Sequence, residues 1–361
     1  MAMQFSRWVG PRAAATALAT VAVVACCALL RGDEVTLIPG TTFKNAQAIG
    51  GRVRGQVQSE SPTEVVVTLG ANTTRVPTDQ IASIRYDGQT ATFQLAESRE
   101  SAGQLAEAAE LFKKAAGETT GRPFPQQTAW FREAEALVEL ALVEPERTKA
   151  ARDKLSQFLR SYPASRHLAA AREALARLQL AAGDFSGAEA SIAELAKLPR
   201  GGERAVVLRT KALARQGKHA EAIAELDRLI AGSPKGSDRQ RAAMLAKAES
   251  LAGMKKFADA ETLVRQVIQA NPAEDAAAQA PAYNTLGDCL RAANRPKDAL
   301  IAYLHTDLLY SKDKEEYSRA LDAIADLFRQ LKQDARADEF AQRLKQEYPR
   351  SAWARTSTGR P

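Results

Sequence analysis

Three textures of apolar and polar residues follow one another along the chain. From about Thr92 onward, apolar positions recur with the 3.6-residue period of amphipathic helices, in a background rich in Ala, Leu, Glu, Arg and Lys. Residues 34–91 follow a different rule. "RVRGQVQS" (Arg52–Ser59) alternates strictly, and "EVVVTL" (Glu64–Leu69) is a β-branched run, with "ESPT" between them as a turn. "GAN" (Gly70–Asn72) is a second turn. "TTRVP" (Thr73–Pro77) and "IASIRYDG" (Ile81–Gly88) supply two more strands, and "VTLIPG" (Val35–Gly40) a first. Four to five short strands in this length predict a small antiparallel barrel-like module. In residues 1–31, Arg7 and Arg12 precede an uncharged run from Ala13 to Leu30.

The helical part repeats itself. A turn, often carrying Gly or Lys, is followed by an apolar residue, then an alanine, then a helix that ends near proline. The marker alanines are Ala108, Ala151, Ala188, Ala222, Ala260, Ala299 and Ala337, at intervals of 43, 37, 34, 38, 39 and 38 residues. Each interval accommodates two helices and two short turns. Prolines 163, 199, 234, 272 and 349 close units because a helix cannot run through them. Two helices of a hairpin approach closely only where side chains are small, which is the role of the alanine. Four residues on, Phe112, Leu155, Ile192, Leu226, Val264 and Tyr303 fill the space between the helices. These features predict a mainly α chain: an α-solenoid of about seven helical hairpins at 92–353, a β module at 34–91, and a disordered tail at 354–361.

The clearest unit reads Tyr283-x2-Leu286-Gly287-x2-Leu290, then Ala299-x3-Tyr303, with Ser311 where a closing proline is expected. It resembles the tetratricopeptide repeat (TPR), W-x2-L-G-x2-Y…A-x3-F…P. The strand order of residues 34–91 is similar to Sm-like and SH3-like barrels. "SYPASRHLAAARE" (Ser161–Glu173) and "EYPRSAWAR" (Glu347–Arg355) share Tyr-Pro-x-Ser followed by alanines. That motif resembles the repeats of bacterial cell-envelope assembly and Tol-Pal-associated proteins.

Composition narrows the classes. The chain has 361 residues with formal charge +7, which becomes +4 without Arg7, Arg12 and Arg31. Acids and bases are well mixed and no basic-aromatic platform appears, so nucleic acid is not an expected partner. The positive front and apolar run predict an export signal or an uncleaved N-terminal anchor. "VVAC" also resembles a lipobox, which makes Cys26 a candidate for lipidation. Each of these places the folded part in the periplasm or cell envelope, with a membrane tether in two of the three cases. Beyond Cys26 and Cys27 in this leader, Cys289 is the sole cysteine. No disulfide framework or zinc-ligand spacing follows, and no cofactor or metal is expected.

Asp288, Cys289 and His305 invite a catalytic reading. Register opposes it. Within the repeat Cys289 takes a slot that is kept small, and His305 lies on the second helix, on its exposed side. Gly287 and the marker alanines are packing positions. What the TPR resemblance implies instead is a concave groove lined by first helices, holding a peptide or a partner protein. Its ninth positions are Arg177, Lys211, Glu249, Asp288 and Asp326. Arg204 and Arg215 add to a basic half, Asn284 and Asp322 to an acidic half. The asparagine that TPR carboxylate clamps carry at this position is absent, which argues against a C-terminal Glu-Glu-Val-Asp ligand. The expected function is a non-enzymatic protein-binding scaffold or adaptor of the envelope. The alternative is envelope-polymer binding, or an enzyme accessory, acting through the β module. Read structurally, that module is a cap over the first hairpin.

Overall fold

The computed structural model describes residues 32–38, 43 and 48–354, apart from 120, 143, 200, 350 and 352. The leader with Cys26, and residues 355–361, lie outside the described residues. The packed chain reaches one residue further than the sequence indicates: Ala354, assigned above to the tail, is buried beside Tyr317 and Leu344.

The N-terminal module is an antiparallel sheet of β1 (Asp33–Leu37), β2 (Ala48–Ile49), β3 (Arg52–Glu60), β4 (Glu64–Leu69), β5 (Asn72–Pro77) and β6 (Ile81–Arg85). Its order is β5-β4-β3-β1-β6, with β2 paired to β3. Strict alternation puts Val35, Val53, Val57, Val65, Val67, Val76 and Ile84 into one core. The long strand β3 serves two neighbours, β1 along its first half and β4 along its second. It turns between them at Gly55, whose φ is +152°. A Cβ there would run into the carbonyl of Thr68, so only glycine fits.

Fourteen α-helices follow among the described residues, and they pair in sequence into seven hairpins. These are α1 (Ala91–Ser101) with α2 (Leu105–Glu118), α3 (Pro123–Ala141) with α4 (Thr148–Ser161), and α5 (Leu168–Ala181) with α6 (Phe185–Ala196). Next come α7 (Gly201–Arg215) with α8 (His219–Ala231), and α9 (Asp238–Gly253) with α10 (Phe257–Ala270). The series ends with α11 (Ala276–Ala292) paired to α12 (Pro296–Leu309), and α13 (Lys314–Gln330) paired to α14 (Asp334–Glu347). The fold is a TPR-like α-solenoid behind a small antiparallel sheet.

All seven marker alanines are fully buried, at 0% exposure. Six of the hairpins reach this contact through the same turn. The residue five positions before the alanine is left-handed: Gly103, Gly183 and Gly217, then Lys255, Asn294 and Lys332, all with φ between 57° and 73°. This is the helix-ending conformation that glycine adopts without steric cost. The second hairpin instead uses a 3-10 turn, Pro145–Arg147. The closest approach is at Gly287, where a Cβ would lie 2.6 Å from two carbons of the Tyr303 ring, itself fully buried.

The sheet does not sit over the first hairpin as the sequence suggests. It docks across the start of α3 and the loop before α5. Those segments carry the matching chemistry: Phe124 packs on the β core, and Arg122 reaches the buried Asp33. The Asp33 carboxylate accepts from the Val57 amide (2.7 Å), the Asp87 amide (2.8 Å) and two guanidinium nitrogens of Arg122 (2.8 and 2.6 Å). Beside it, the Tyr86 hydroxyl donates to Glu60 and Arg166 pairs with Glu60 at 3.2 Å. Burial raises the Glu60 carboxyl above its ordinary range despite Arg166. His167 Nε2 lies 3.2 Å from the Thr128 hydroxyl, and its ring stacks on Phe131 at 4.4 Å.

Two expected outcomes test this architecture. Gly287→Ala gains up to about 1 kcal/mol of helix propensity but drives a methyl into the Tyr303 ring, an overpacking cost of roughly 1–3 kcal/mol. Thermal unfolding therefore shows net destabilisation, and a stabilised variant would show that the hairpin has slack there. The second concerns pH. Burial, then Arg166 and Arg132, hold His167 well below its ordinary 6.5, so it stays neutral in the folded chain. As pH falls through 6.5 the unfolded chain takes up a proton that the folded chain refuses, and stability is lost. Between about pH 7 and about pH 5.5, wild type loses roughly 1.3 kcal/mol more than His167→Gln in denaturant titrations.

Candidate functional site

Successive first helices contact one another along the solenoid, as α3 with α5, α5 with α7, α9 with α11 and α11 with α13. Charges on these helices are spent on one another. Glu100 on α1 pairs with Arg132 on α3, and Glu139 on α3 with Arg177 on α5 at 3.1 Å. Glu173 on α5 pairs with Arg204 on α7 at 3.3 Å, and Glu203 on α7 with Arg239 on α9 at 2.6 Å. Asp288 on α11 pairs with Arg319 on α13. In every rung the carboxylate stands on the earlier helix and the arginine on the later one. The outer helices repeat this polarity, with Glu261 on α10 to Arg295 just before α12 at 2.8 Å, and Asp307 on α12 to Arg343 on α14.

This ladder changes the groove the sequence suggests. Arg177 and Arg204 are rungs, not free cations. Arg215 donates to the Leu180 carbonyl at 2.9 Å, which ties α7 to the end of α5. Lys211 is exposed on α7. Asn284 does not face the groove at all. It is 0% exposed, its amide nitrogen donating to the Glu316 carbonyl (2.8 Å) and carboxylate (2.7 Å) while its oxygen accepts from Thr306 (2.9 Å). It lies one helical turn before Asp288, where the start of α13 covers it.

The acidic residues do converge. Arg319 is held by Asp288, by Glu316 at 3.3 Å and by Glu249 at 3.7 Å, so three helices meet on one guanidinium. Burial alone would ease its proton off, but Asp288, Glu316 and Glu249 outweigh that and hold it more firmly cationic than usual. Asp288 also accepts from the Tyr303 hydroxyl and lies 3.6 Å from Arg291. Against this cluster lies a cavity of about 410 Å³. Its wall includes Asp288, Arg319, Asp322, Asp326, Ala323 and Trp353. Asp322 is 4% exposed, and Asp326 pairs with Arg329 at 3.2 Å. The C-terminal segment closes the cavity through Trp353. Sequence register assigned Asp288, Asp322 and Asp326 to one surface but did not single out Arg319. The signal for it was present, since acid and arginine recur at 31 to 38 residues, close to the repeat length.

The residues that suggested chemistry are placed for packing. Cys289 is 2% exposed within the core of α9–α14, its thiol 3.9 Å from the Ala248 carbonyl. Burial, then Glu249 and Asp288, push that thiol up to about 12, so it stays protonated and is a poor nucleophile. His305 is half-buried, not exposed as register implied, because its ring lies flat on Tyr283 at 4.5 Å. Its Nδ1 bonds to the Ile301 carbonyl at 2.8 Å. Among the described residues no group of three or more His, Cys, Asp and Glu is arranged to hold a metal ion, and no helix is long and apolar enough to cross a membrane.

Comparison with known proteins finds likeness in the helical repeats. The tetratricopeptide repeat family model matches residues 319–351, the hairpin α13–α14 that supplies Arg319. No curated protein sequence matches the chain. Among solved structures the chain is similar to a tetratricopeptide repeat protein from Parabacteroides merdae. The two are 13% identical, with 74% of this chain and 97% of that chain covered, at a TM-score of 0.48. It is similar also to the C-terminal part of a TPR repeat-containing protein from Cytophaga hutchinsonii (16% identity, 71% and 95% covered, TM-score 0.40). A third is PilW, a type IV pilus biogenesis factor (17%, 62% and 98%, TM-score 0.36).

Removing Arg319 separates a structural keystone from an ornamental charge. Arg319→Gln leaves three carboxylates without their partner and costs about 2–3 kcal/mol near neutral pH. Part of that loss returns as the pH is lowered, because the Glu249 carboxyl, raised by burial and no longer held down by Arg319, takes up its proton. The more exposed rung Arg239→Gln costs at most about 1 kcal/mol by the same unfolding measurement.

Proposed function

We propose that this chain is a non-enzymatic scaffold of the bacterial cell envelope that holds a peptide or partner protein against its first-helix wall, centred on the cavity between α11, α13 and Trp353. The carrying observation is an open cavity on that wall, lined by acids and an aromatic ring. Elsewhere the rungs run between close-packed helices, whereas here the rung Asp288–Arg319 and the side chains of Asp322 and Asp326 border an open volume of about 410 Å³ with a tryptophan at its edge. A volume of that size accommodates one or two side chains of a bound segment, with the aromatic face and carboxylates giving it orientation. The Tyr-Pro-x-Ser motifs and the uncharged run Ala13–Leu30 support placement in the envelope, as a secreted, anchored or lipidated form.

Filling the cavity tests this reading. Ala323 lines it from α13 at the edge of the core, so Ala323→Trp fills the volume, and a cooperative thermal transition checks that the variant is folded. Affinity capture from envelope extracts with the wild-type chain yields a protein set, and at least one member is depleted ten-fold or more with Ala323→Trp. Recovery of polysaccharide alone, or of an unchanged protein set, would sink the groove reading. Mass spectrometry of the mature N-terminus distinguishes a cleaved signal, an anchor and an acylated Cys26.

A further inference from the structure

The strand β1 looks both ways. Its inward residue Asp33 clamps the sheet to the solenoid, and its outward residue Glu34 lies on the opposite face, which no helix among the described residues covers. Across three strands the register places Arg54 on β3 and Arg85 on β6 on either side of Glu34. One step along, Arg52 and Ser83 flank Thr36 in the same way. Three arginines therefore share one carboxylate. Arg54 bonds to it at 2.9 Å, while Arg52 and Arg85 stand at 3.7 and 3.9 Å, beyond good hydrogen bonds. Their side chains are 54–73% exposed. Like charges on strands about 4.8 Å apart repel, and these two rows keep a net charge of two with most guanidinium donors unspent.

An apolar residue stands at the edge of this cationic face. Ile49 pairs with Arg52 across the β2–β3 hairpin and is 79% exposed, the highest value for a large apolar side chain among the described residues. Gly50 and Gly51, both with positive φ, make the tight two-residue turn that holds it at the tip. In sequence, only Arg31 and Gly32 separate β1 from the uncharged run ending at Leu30.

We infer that this outer sheet face is a docking surface for anionic lipid headgroups, with Arg52, Arg54 and Arg85 on the phosphates and Ile49 dipping into the interface. A flat face without a pocket cannot retain a single small anion, but it matches a plane of many negative headgroups. The apolar run two residues away supplies the proximity. In this respect the inference rests on the envelope reading above, though not on the groove.

Flotation of the full chain with vesicles of phosphatidylcholine, or of phosphatidylcholine and phosphatidylglycerol in equal parts, tests it. The leader, with Arg7, Arg12 and Arg31, adds its own anionic preference, so the share of the sheet is read as the difference between wild type and variant. Each uncompensated arginine near an anionic leaflet strengthens binding about five-fold, so the two on the sheet contribute roughly thirty-fold tighter binding to the anionic vesicles, lost at high salt. R52Q/R54Q/R85Q lowers the preference by about that factor while leaving retention on neutral vesicles, and an unchanged preference in this variant overturns the lipid face. Arg85→Gln alone, at a well-exposed position that leaves the sheet intact, lowers it about five-fold. Ile49→Ser weakens binding to anionic vesicles without changing its salt dependence. Equal binding to both vesicles by wild type would overturn the lipid face and leave the tether standing, whereas failure to float with either would overturn both. Capture by soluble polyglutamate with no vesicle preference would replace the lipid by an acidic protein and overturn the assignment.

Discussion

Everything in the helical part depends on one contact, the approach of two helices at a residue with no side chain beyond Cβ. Where Ala299 meets the facing helix, and where Gly287 receives the ring of Tyr303, the gap is set by atoms that cannot move aside. That fixes the hairpin angle. The turn must then deliver the second helix at the right height, and a left-handed residue five positions earlier does so in six hairpins. Glycine takes the position without cost in three of them. Lys255, Asn294 and Lys332 take it in the others, held there by the packing on either side. With the hairpins fixed, their stacking follows, and with it the separation of an inner wall of first helices from an outer wall of second helices.

The ion-pair ladder is a consequence of that stacking, not its cause. In most rungs at least one partner is about a third or more exposed, and pairs of that kind stabilise by less than about 1 kcal/mol each. Their uniform polarity matters more than their strength. With acid on the earlier helix and arginine on the later one, a hairpin that slips by one turn, or stacks in reverse, meets like charges or none. The ladder thus guards register in a chain whose cores are rich in interchangeable alanine and leucine. Arg319 is the exception, because three carboxylates from α9, α11 and α13 close on it in a poorly solvated corner.

Much of this was legible from periodicity. The period-2 stretches became strands at nearly the expected residues, and the alanine frame located each of the hairpins, because both signals come from burial that repeats along an element. What periodicity cannot give is the position of a neighbouring element's end. Asn284 has a groove-facing angle on α11, yet the first turn of α13 covers it. His305 has an exposed angle on α12, yet Tyr283 lies across it. The docking site of the sheet escaped for the same reason. It depends on Asp33 meeting Arg122, 89 residues away, and no local pattern reports such a pair.

That pairing also explains how so small a sheet sustains two jobs. A strand's side chains alternate between faces, so consecutive residues of β1 are free to answer opposite demands. Asp33 is desolvated and fully satisfied by four donors, which makes the sheet one rigid piece with α3 and the loop before α5. Glu34 is left to three arginines it cannot neutralise. An internal ion pair consumed in folding leaves no surplus, as the ladder along the first helices shows. Charge that folding leaves unbalanced is repulsion the native state must carry, and it persists at no advantage to the fold. The outer face of the sheet, where three arginines meet one carboxylate, carries such a surplus. Because the sheet is clamped to the solenoid by a buried salt bridge instead of a loose linker, whatever holds the outer face also fixes the orientation of the groove.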